Sequence, residues 1–350
     1  MAMEGDATRV LGFVKDTAIA PEKLDAEYKT YDQLFDESKG EEAAIQERKK
    51  EYKSMVNTFY DLVTNFYEFG WGHSFHFAPR HKWETFAASI ARHEFWLAKQ
   101  IGLSKGKTAL DVGCGVGGPQ RAIARFSEGN VVGLNNNPYQ ISRAKVLAKE
   151  QGLAHLCSYM KADFMHVPAE DNTYDAVYQI EAACHAPDKV AFYKEMFRVL
   201  KPGCLFGGYE WVVTDKYDAS NPEHVRIKKG IEVGNGLPDL EKPGVLRQAF
   251  IEAGFEIVRE KDFAPFNEDY ELPWYEPLAG SMSISGFKHH WVGRYLTNRM
   301  VWALEALHIA PKGTTAVSNM LMKTAIDLVD GGKAGIFTPS HFFLVRKPLE

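Results

Sequence analysis

Hydrophobic and polar positions along residues 107–213 alternate in blocks that predict a parallel β-sheet. Short, mostly apolar runs are separated by segments with helical spacing, and this order of strand and helix is typical of a parallel sheet with crossover helices. The predicted strands are residues 108–113, 130–134, 156–161, 174–180 and 204–213, and the predicted helices between them are residues 119–127, 138–151 and 188–200.

The pattern continues on both sides of this block. Residues 83–100 and 242–253 have helical spacing, and residues 255–263 and 336–347 form two further predicted strands. We therefore predict an α/β protein. Its expected parts are an N-terminal helical extension (1–57), an aromatic cap with an entry helix (58–100), the ligand-binding α/β domain (101–263), an insertion (264–335) and the last strand of the sheet (336–350).

The composition of the 350 residues disfavours several classes of function. Hydrophobic residues make up 45% and charged residues 25%, which is ordinary for a globular protein, and the net charge of -5 argues against a broad nucleic-acid surface. No apolar run approaches the roughly 18 residues of a membrane span, and the polar N-terminus lacks a secretory apolar region. The scattered cysteines predict free thiols in a reducing compartment and no metal site: Cys114, Cys157, Cys184 and Cys204.

A glycine-rich turn after the first predicted strand carries the strongest chemical signal. Gly113, Gly115, Gly117 and Gly118 follow Asp111 and precede a helix, so a ligand can approach the backbone closely. A dinucleotide site favours G-x-G-x-x-G, with pyrophosphate on the helix N-terminus. Here the spacing is G-x-G-x-G-G. The carboxylate of Asp111, just before the turn, would contribute little to the binding of a diphosphate. The same carboxylate can interact favourably with the cationic amine of S-adenosylmethionine, and we therefore predict S-adenosylmethionine as the cofactor. The alternative is a tight turn that binds no ligand.

Polar side chains after the next two strands complete the predicted donor site. Asn135 ends the second strand, where most S-adenosylmethionine sites have an acid for the ribose hydroxyls, and its amide can both accept and donate a hydrogen bond. Asp163 can accept a hydrogen bond from the adenine amine, and Phe164 can stack on the adenine ring. The alternative for Asp163 is a solvent-exposed position in a loop. The predicted donor-binding residues are Asp111, Gly113, Gly115, Gly117, Asn135, Asn136, Gln140, Asp163 and Phe164.

Residues 59–77 form a dense aromatic block ahead of the sheet. Gly70 and Gly72 interrupt any helix there and favour a loop around an indole. The block predicts either a hydrophobic plug over the core or an aromatic lid over an apolar substrate. A metal site at His73 and His76 is disfavoured, because no third ligand lies nearby in the sequence.

Polar groups also follow the fourth and fifth predicted strands, at the edge where open α/β sheets bind ligands. Glu181 and His185 come directly after the fourth strand and should lie beside the methyl donor, although His185 could be an ordinary loop histidine. Tyr209, Glu210 and Trp211 end the fifth strand. Because side chains alternate along a strand, Tyr209 and Trp211 should share one face and Glu210 the other, unless the strand bulges.

Residues 264–335 separate the last two predicted strands, and so long an insertion usually carries function. The segment contains several Met and Trp residues, and Met suits irregular apolar surfaces. We predict that it covers a substrate or mediates association into homo-oligomers; plain extension of the core is the alternative.

Residues 67–77, 110–119, 133–138, 180–187 and 208–211 together resemble the sterol 24-C-methyltransferase family. The likeness extends from about residue 50 to the C-terminus. The aromatic block and the Glu-Ala-Ala-Cys-His-Ala-Pro segment are its specific parts, whereas most S-adenosylmethionine methyltransferases share the glycine loop. One departure is Ala183, where the family usually has Thr. The loss of this hydroxyl near the reaction centre should alter which sterol is preferred.

The resemblance implies a class I methyltransferase fold, with a mostly parallel Rossmann-like sheet and an antiparallel last strand. It implies a Δ24-sterol acceptor that is methylated at C24, and residence at the endoplasmic reticulum or at lipid bodies. Methylation of the alkene leaves a cation at C25 of the sterol, and a hydride shift and proton loss then give a methylene product. Peripheral contact with the membrane, through exposed aromatics near residues 66–77 or 272–291, follows from such a substrate.

The implied reaction assigns roles to individual side chains. Tyr67 and Trp71 should face the cation, because an aromatic ring stabilises a nearby positive charge. His185 can accept and release protons near neutral pH without a shifted pKa, whereas a buried glutamate reaches that range only through desolvation. We predict that Glu68 and Glu181 interact with the cation or with the sterol hydroxyl. We also predict that His185 or Tyr67 takes part in proton removal. The predicted substrate-binding residues are Phe66, Phe69, Trp71, His76, Glu210 and Trp211.

Other functions remain open. A methyltransferase of the tocopherol or phosphoethanolamine type would need no dry aromatic cover. A cyclopropane fatty-acid synthase would need a bicarbonate site, for which no residues stand out. A non-catalytic sterol or lipid carrier on the same fold would not need the intact glycine loop with Asp111.

Overall fold

A computed structural model describes residues 18–38, 40–264, 270–280 and 291–349, the side chain of Trp291 excepted. The described strands are β1 (Arg80–His81), β2 (Thr108–Val112), β3 (Asn130–Asn135), β4 (Cys157–Lys161), β5 (Tyr174–Ile180), β6 (Leu200–Val213), β7 (Glu256–Asp262), β8 (Glu271–Leu272) and β9 (Phe337–Arg346). One sheet has seven strands in the order β4-β3-β2-β5-β6-β9-β7, and β1 pairs with β8 separately.

The large sheet has the predicted directions. Strands β4, β3, β2, β5 and β6 run parallel. Strand β9 is antiparallel to both of its neighbours, β6 and β7. The predicted fold class, a mostly parallel sheet of the class I methyltransferase type with an antiparallel last strand, is therefore confirmed. The strand bounds agree with the predicted ones except at β6, which begins at Leu200 because its pairing with β5 shifts between Tyr174 and Ala176.

The described helices lie largely between the strands. They are α1 (Leu24–Gln33), α2 (Glu41–Lys50), α3 (Tyr52–Gly70), α4 (Phe86–Gln100), α5 (Gly118–Ser127), α6 (Pro138–Glu150), α7 (Lys189–Val199), α8 (Pro222–Val233), α9 (Pro243–Glu252), α10 (Glu276–Ala279), α11 (Trp291–Ala306) and α12 (Thr314–Ala334). Helices α5, α6 and α7 follow β2, β3 and β5 as the crossovers that the alternation predicts.

Apolar layers cover both faces of the sheet. Neighbouring residues on a strand point to opposite faces, so Val177 and Phe343 pack in one layer while Tyr178 and Phe342 pack in the other. Burial on both faces explains why these strands are nearly continuous apolar runs in the sequence.

The N-terminal helices pack on this core. Helix α2 is rich in Glu and Lys, yet Arg48 within it is only 1% exposed. Its Nε donates to the Pro238 carbonyl at 2.9 Å, and its guanidinium lies over the Phe35 ring. Helix α3 is continuous across the predicted 57/58 boundary and ends at Gly70, where the glycines were expected to interrupt it.

Residues from the insertion form helices that pack against the rest of the chain. Helix α12 lies so close to α8, a helix that the sequence pattern did not predict, that a Cβ at Gly234 would be 1.6 Å from the Thr324 hydroxyl oxygen. None of the helices in the described ranges is long and apolar enough to cross a membrane. Residues 265–269 and 281–290, part of the insertion and of the predicted membrane contact, lie outside the described residues, as do residues 1–17 of the N-terminal extension.

Candidate active site

Two cavities meet at the carboxyl edge of the sheet. The larger encloses about 270 Å³ and the smaller about 70 Å³. The side chains that line both mark the place where a ligand in one cavity would meet a ligand in the other. We call this set the junction: Tyr60, Phe75, His76, Glu181 and His185.

The glycine loop forms one wall of the smaller cavity. Gly113, Gly115 and Gly117 have φ angles of 77°, 54° and 74°, a left-handed conformation that favours glycine. A side chain at Gly113 would also collide with its neighbour, because its Cβ would lie 2.5 Å from the Ala182 Cβ. Gly113 and Gly115 line the cavity, and Gly117 is the N-cap residue of helix α5.

Amide side chains and an aromatic ring form the opposite wall. Asn135 donates to Gln140 Oε1 at 2.7 Å, and Gln140 in turn donates to Thr64 Oγ1 at 3.1 Å, so helix α3 helps to orient both amides. Asn136 and Phe164 line the same cavity. The structure therefore brings together six of the predicted donor-binding residues: Gly113, Gly115, Asn135, Asn136, Gln140 and Phe164.

Two predicted donor-binding carboxylates lie just outside the cavity wall. Asp163 accepts a hydrogen bond from the Tyr52 hydroxyl at 2.5 Å and lies 3.7 Å from Lys53 Nζ, so residues at the start of α3 already engage it. Asp111 is buried behind the glycine loop, where burial raises the pKa of its carboxyl to about 7. Its Oδ2 has no hydrogen-bond partner among the described residues.

The smaller cavity fits S-adenosylmethionine. The loop presents backbone without side chains, the amides of Asn135 and Asn136 can bond ribose hydroxyls, and the ring of Phe164 offers a face for a base. The unpartnered oxygen of Asp111 favours a nearby cationic group. These residues would hold the donor in the cavity that adjoins the junction.

The larger cavity is mostly aromatic on one side. Helix α3 and the loop after it contribute Phe66, Tyr67, Phe69 and Trp71, and β6 contributes Trp211. Helices α11 and α12 from the insertion form the other side. This places the predicted substrate-binding residues Phe66, Phe69, Trp71, His76 and Trp211 in one apolar pocket, together with Tyr67.

Glu181 is the carboxyl group at the junction. It is 7% exposed, and burial raises its pKa to about 8. Its Oε1 accepts from the Phe77 backbone N–H at 2.8 Å and its Oε2 from the Trp211 indole at 2.7 Å. Its φ of 56° is unusual for a residue with a side chain, and such strain is found preferentially at functional sites.

His185 is a neutral, hydrogen-bonded side chain at the junction. Burial lowers its pKa to about 4, so the expectation that it titrates near neutral pH with an ordinary pKa is wrong. Its Nδ1 donates to the Gly236 carbonyl at 3.0 Å, which leaves Nε2 to accept from the Tyr60 hydroxyl at 3.1 Å.

His76 is the second histidine at the junction. Burial alone would lower its pKa, but hydrogen bonding to Glu94 outweighs burial and raises it. Both ring nitrogens face acceptors: Nε2 lies 3.1 Å from Glu94 Oε1, and Nδ1 lies 2.8 Å from the Phe77 carbonyl. Ser74 also donates to Glu94 at 2.7 Å, so a buried network connects the aromatic block to helix α4.

Comparison with known proteins agrees with this geometry. Residues 110–207 match the methyltransferase domain model, and residues 284–349 match the model of the sterol methyltransferase C-terminal region. The chain is 55% identical to cycloartenol-C-24-methyltransferase 1 of Oryza sativa subsp. japonica, over 86% of this chain and 87% of that one. It is 47% identical to the sterol 24-C-methyltransferase of Saccharomyces cerevisiae, over 87% of this chain and 81% of that one.

The chain belongs to the sterol 24-C-methyltransferase family. It is an S-adenosylmethionine-dependent C-methyltransferase, and the predicted resemblance is confirmed. Its fold is also similar to that of geranyl diphosphate C-methyltransferase from Streptomyces coelicolor A3(2), solved with S-adenosyl-L-homocysteine. The TM-score is 0.60 at 12% identity, over 85% of this chain and 98% of that one.

Three residues that the sequence placed near the reaction lie outside both cavities of this methyltransferase. Glu68 is held by Arg143, with Oε1 at 2.9 Å from Nη2 and Oε2 at 3.1 Å from Nε. Glu210 points to the other face of β6, as alternation predicts, and accepts from the Trp211 backbone N–H at 3.0 Å. Ala183 is fully buried in the core and lines neither cavity, so the missing hydroxyl is not at the cavity surface.

Two parts of the site were not assigned from the sequence. Tyr60 lies in the aromatic block but was not distinguished there from packing residues; its helical position on α3, opposite His185, is what brings it to the junction. The polar residues that α11 and α12 contribute carried no local motif. A helical spacing of polar residues within an apolar helix, as in Arg294 and Asn298, was the available signal.

Proposed function

We propose that this protein transfers the methyl group of S-adenosylmethionine to C24 of a Δ24-sterol. One observation supports the proposal most directly: the cavity that fits the donor meets a mostly apolar cavity with an aromatic wall at Glu181. A phenol or an amine would need no such cover, whereas an alkene that becomes a carbocation must be kept from water.

The donor and the acceptor are aligned by separate walls. When bound, S-adenosylmethionine supplies an electrophilic methyl group. The glycine loop and the amides of Asn135 and Gln140 hold the adenosyl part, and the α3 aromatics and α12 hold the apolar acceptor. Fixing both partners in place can lower the barrier by about 7 kcal/mol or more.

The aromatic walls stabilise the positive charge that methyl transfer leaves on the acceptor. Tyr67 and Trp71 both line the larger cavity, and a ring facing a cation contributes roughly 0.5–2 kcal/mol. Tyr67 meets the Phe75 ring edge-on at 5.3 Å, which fixes its orientation. Burial raises the pKa of Tyr67 well above its ordinary value, so it stays a neutral phenol and is not the base.

Glu181 is the group we assign to the cation and to proton removal. It is the carboxyl group that lines both cavities, and its raised pKa lets it hold and release a proton near neutral pH. A cation in the cavity favours its ionised form. His185 Nε2 already accepts a hydrogen bond from the Tyr60 hydroxyl, so in this proposal the pair maintains the shape of the junction. Glu68, paired with Arg143, positions α3 against α6 in this proposal.

Peripheral contact with a membrane is part of the proposal, because a sterol acceptor partitions into lipid. Helix α11 places Arg294 and Asn298 on the cavity side. Tyr295, Leu296 and Trp302 are more than half exposed and do not line the cavity. An amphipathic helix with exposed aromatics is suited to a bilayer surface. We propose the endoplasmic reticulum or lipid bodies as the location, and residues 264–335 as the part that covers the substrate.

Incubation with labelled S-adenosylmethionine and a panel of acceptors tests the function. The panel contains Δ24-sterols, their saturated side-chain counterparts, phosphoethanolamine and a tocopherol precursor, and mass spectrometry detects the products. The proposal predicts label only in the Δ24-sterols. Label in phosphoethanolamine or the phenol, or S-adenosylmethionine binding without any sterol product, would contradict it.

A further inference from the structure

The larger cavity extends along helix α12, away from the sheet. At one end of the part of α12 that lines the cavity, Leu328 packs in the same cluster as Trp211. The Trp211 indole donates a hydrogen bond to Glu181. At the other end lies Ser318. Residues 318 and 328 are about 15 Å apart at the helical rise of 1.5 Å per residue. The lining residues between them are mainly apolar and recur with helical spacing, so the cavity follows one face of α12.

The end near Ser318 is polar. Asn298 on α11 donates from Nδ2 to Ser318 Oγ at 3.2 Å and to Asn319 Oδ1 at 2.8 Å. An amide nitrogen has two hydrogens, so both are engaged and the Oδ1 is the part of Asn298 suited to accept a hydrogen bond from a ligand. Asn298 and Ser318 both line the cavity.

Arg294 adds a donor at the same end. It lies one helical turn before Asn298 on the same face of α11 and lines the cavity. Its Nη1 is buried and has no hydrogen-bond partner among the residues that the structure describes. Buried donors are normally paired, so this nitrogen is suited to an acceptor atom on a ligand.

The charge of this end favours a neutral ligand group. Arg294 is the only Lys or Arg among the described lining residues, and its neighbours are an amide and a hydroxyl. A phosphate or sulfate ester would be better matched by several cations. An alcohol matches the set as it stands, because its oxygen can accept from Arg294 while its proton is donated to Asn298 Oδ1.

We propose that Asn298, Ser318 and Arg294 form the subsite that binds the 3β-hydroxyl of the sterol. The inference rests on the proposed function, because it takes the side-chain alkene to lie at the junction. A sterol carries its hydroxyl and its side chain at opposite ends of a rigid ring system. Binding the hydroxyl therefore sets how far the alkene reaches toward the donor.

The test compares two acceptors, a Δ24-sterol and its 3-deoxy analogue, in the full-length protein. We expect the wild type to favour the hydroxylated sterol in kcat/KM by about tenfold, the effect of about one well-made hydrogen bond. An Asn298→Leu substitution should lower kcat/KM for the hydroxylated sterol by about tenfold, mainly through KM, and leave the 3-deoxy analogue unchanged. Arg294→Gln and Ser318→Ala give the same test should Asn298→Leu not fold.

Thr324→Val is the matched control. Thr324 lines the same cavity on α12, but its hydroxyl already donates to the Met320 carbonyl at 2.8 Å, so its loss should not alter the preference for the 3-hydroxyl. An equal loss for both acceptors in the Asn298→Leu, Arg294→Gln and Ser318→Ala variants would overturn the subsite. A wild type that methylates Δ24-sterols without regard to the 3-hydroxyl would also overturn it and leave the proposed function standing. A wild type that methylates no sterol would contradict the proposed function itself.

Discussion

Glu181 combines a left-handed backbone, a buried carboxyl group and two neutral hydrogen-bond donors. A left-handed conformation at a residue with a side chain costs about 1 kcal/mol or more. Neither the Phe77 amide nor the Trp211 indole carries a charge that would keep the carboxyl ionised. The residue is therefore maintained at a cost in stability, which favours a role in the reaction over one in packing.

The pH dependence of catalysis follows from this carboxyl group. A base must be ionised, and a pKa of about 8 leaves Glu181 mostly protonated at pH 7 and mostly ionised at pH 9. We expect kcat/KM of the wild type to rise roughly tenfold between pH 7 and pH 9. The Glu181→Gln variant should be slower by about 100-fold or more and show no such rise. Initial rates with a Δ24-sterol between pH 7 and pH 9 measure the pH dependence of the wild type and the loss of rate in the variant.

Glu210→Gln is the matched control for this experiment. Glu210 is also a buried glutamate with a pKa raised by burial, to about 7, but it faces away from the cavities. Its substitution should change the rate by less than about threefold, as expected for a change that leaves the reacting groups in place. Equal losses of rate in the two variants, or a Glu181→Gln rate within twofold of wild type, would contradict the role of Glu181 as the base.

The same shift predicts how stability depends on pH. The folded protein holds the Glu181 proton up to about pH 8, whereas the unfolded chain releases it near the ordinary glutamate value of about 4.5. The folded state thus binds more protons between these values, and the contribution of Glu181 to stability falls as the pH rises through this window. Glu181→Gln should become more stable than wild type by on the order of 4 kcal/mol at pH 8, with little difference at pH 4.5.

Denaturant unfolding of both proteins at pH 4.5, 6 and 8 gives this difference. Asp111 and Glu210, which burial also shifts upward, are present in both proteins and cancel in the comparison. A difference that does not grow with pH would show that the carboxyl group of Glu181 is not buried as a neutral acid.

At the scale of elements, the aromatic block and the donor loop are in direct contact. The first residue of helix α5, Gly118, lies against the backbone of the block. A Cβ at this position would be 2.1 Å from the His73 carbonyl oxygen and 2.5 Å from the Ser74 hydroxyl. The glycine loop and the aromatic block are therefore packed backbone against backbone at this point, with no room for a side chain between them.

Gly118→Ala tests this contact. The backbone of residues 73 and 74 must shift to admit the methyl group, which should displace the glycine loop and weaken S-adenosylmethionine binding by about tenfold or more, with lower thermal stability. Isothermal titration calorimetry and thermal unfolding measure the two effects. Gly244→Ala is the control, because a Cβ there meets nothing within 4 Å on helix α9. Unchanged donor affinity in Gly118→Ala would contradict the coupling.

Helix α11 is the second element with a testable role. Its exposed residues include Tyr295, Leu296 and Trp302, and the Arg299 guanidinium lies 5.1 Å over the Tyr295 ring. Aromatic and basic side chains of this kind bind at the interface between headgroups and acyl chains. Replacing both Tyr295 and Trp302 with Ser should therefore reduce co-flotation with phosphatidylcholine vesicles by about tenfold.

Activity on detergent-dispersed sterol should stay near wild type in the same variant, because neither side chain lines the cavity. The control is Trp83→Ser, which removes an indole that is 70% exposed on another part of the surface. Equal loss of flotation in both would point to general apolar contact, and no loss in the α11 variant would exclude this helix as the contact.

At the scale of the whole molecule, local patterns predicted what depends on local chemistry. The runs in β2 and β5 are apolar because both sheet faces are buried, and the turn after β2 needs glycine at Gly113 because Ala182 occupies the space of a side chain. The parallel direction of β2 to β6 follows from the alternation of strand and helix. The walls of the smaller cavity were therefore largely predictable.

Contacts between distant segments were not predictable in this way. The pKa of His185 depends on burial beneath α3 and on the Gly236 carbonyl, and no local sequence feature reports either. Glu68 has the same residue type as Glu181, yet Arg143 of another helix holds it outside the cavity. The polar end at Asn298 and Ser318 exists only because α11 and α12 pack side by side.

In the proposed reaction, a methyl group is added at C24 and a proton is lost from that same group at the junction. Incubation of the wild type with trideuteromethyl S-adenosylmethionine and a Δ24-sterol, followed by mass spectrometry and NMR of the product, tests both steps at once. We predict a 24-methylene sterol that carries two deuterium atoms on the new carbon, with the original C24 hydrogen now at C25. A product methylated at oxygen or nitrogen, or a 24-methyl sterol that keeps all three deuterium atoms, would contradict it.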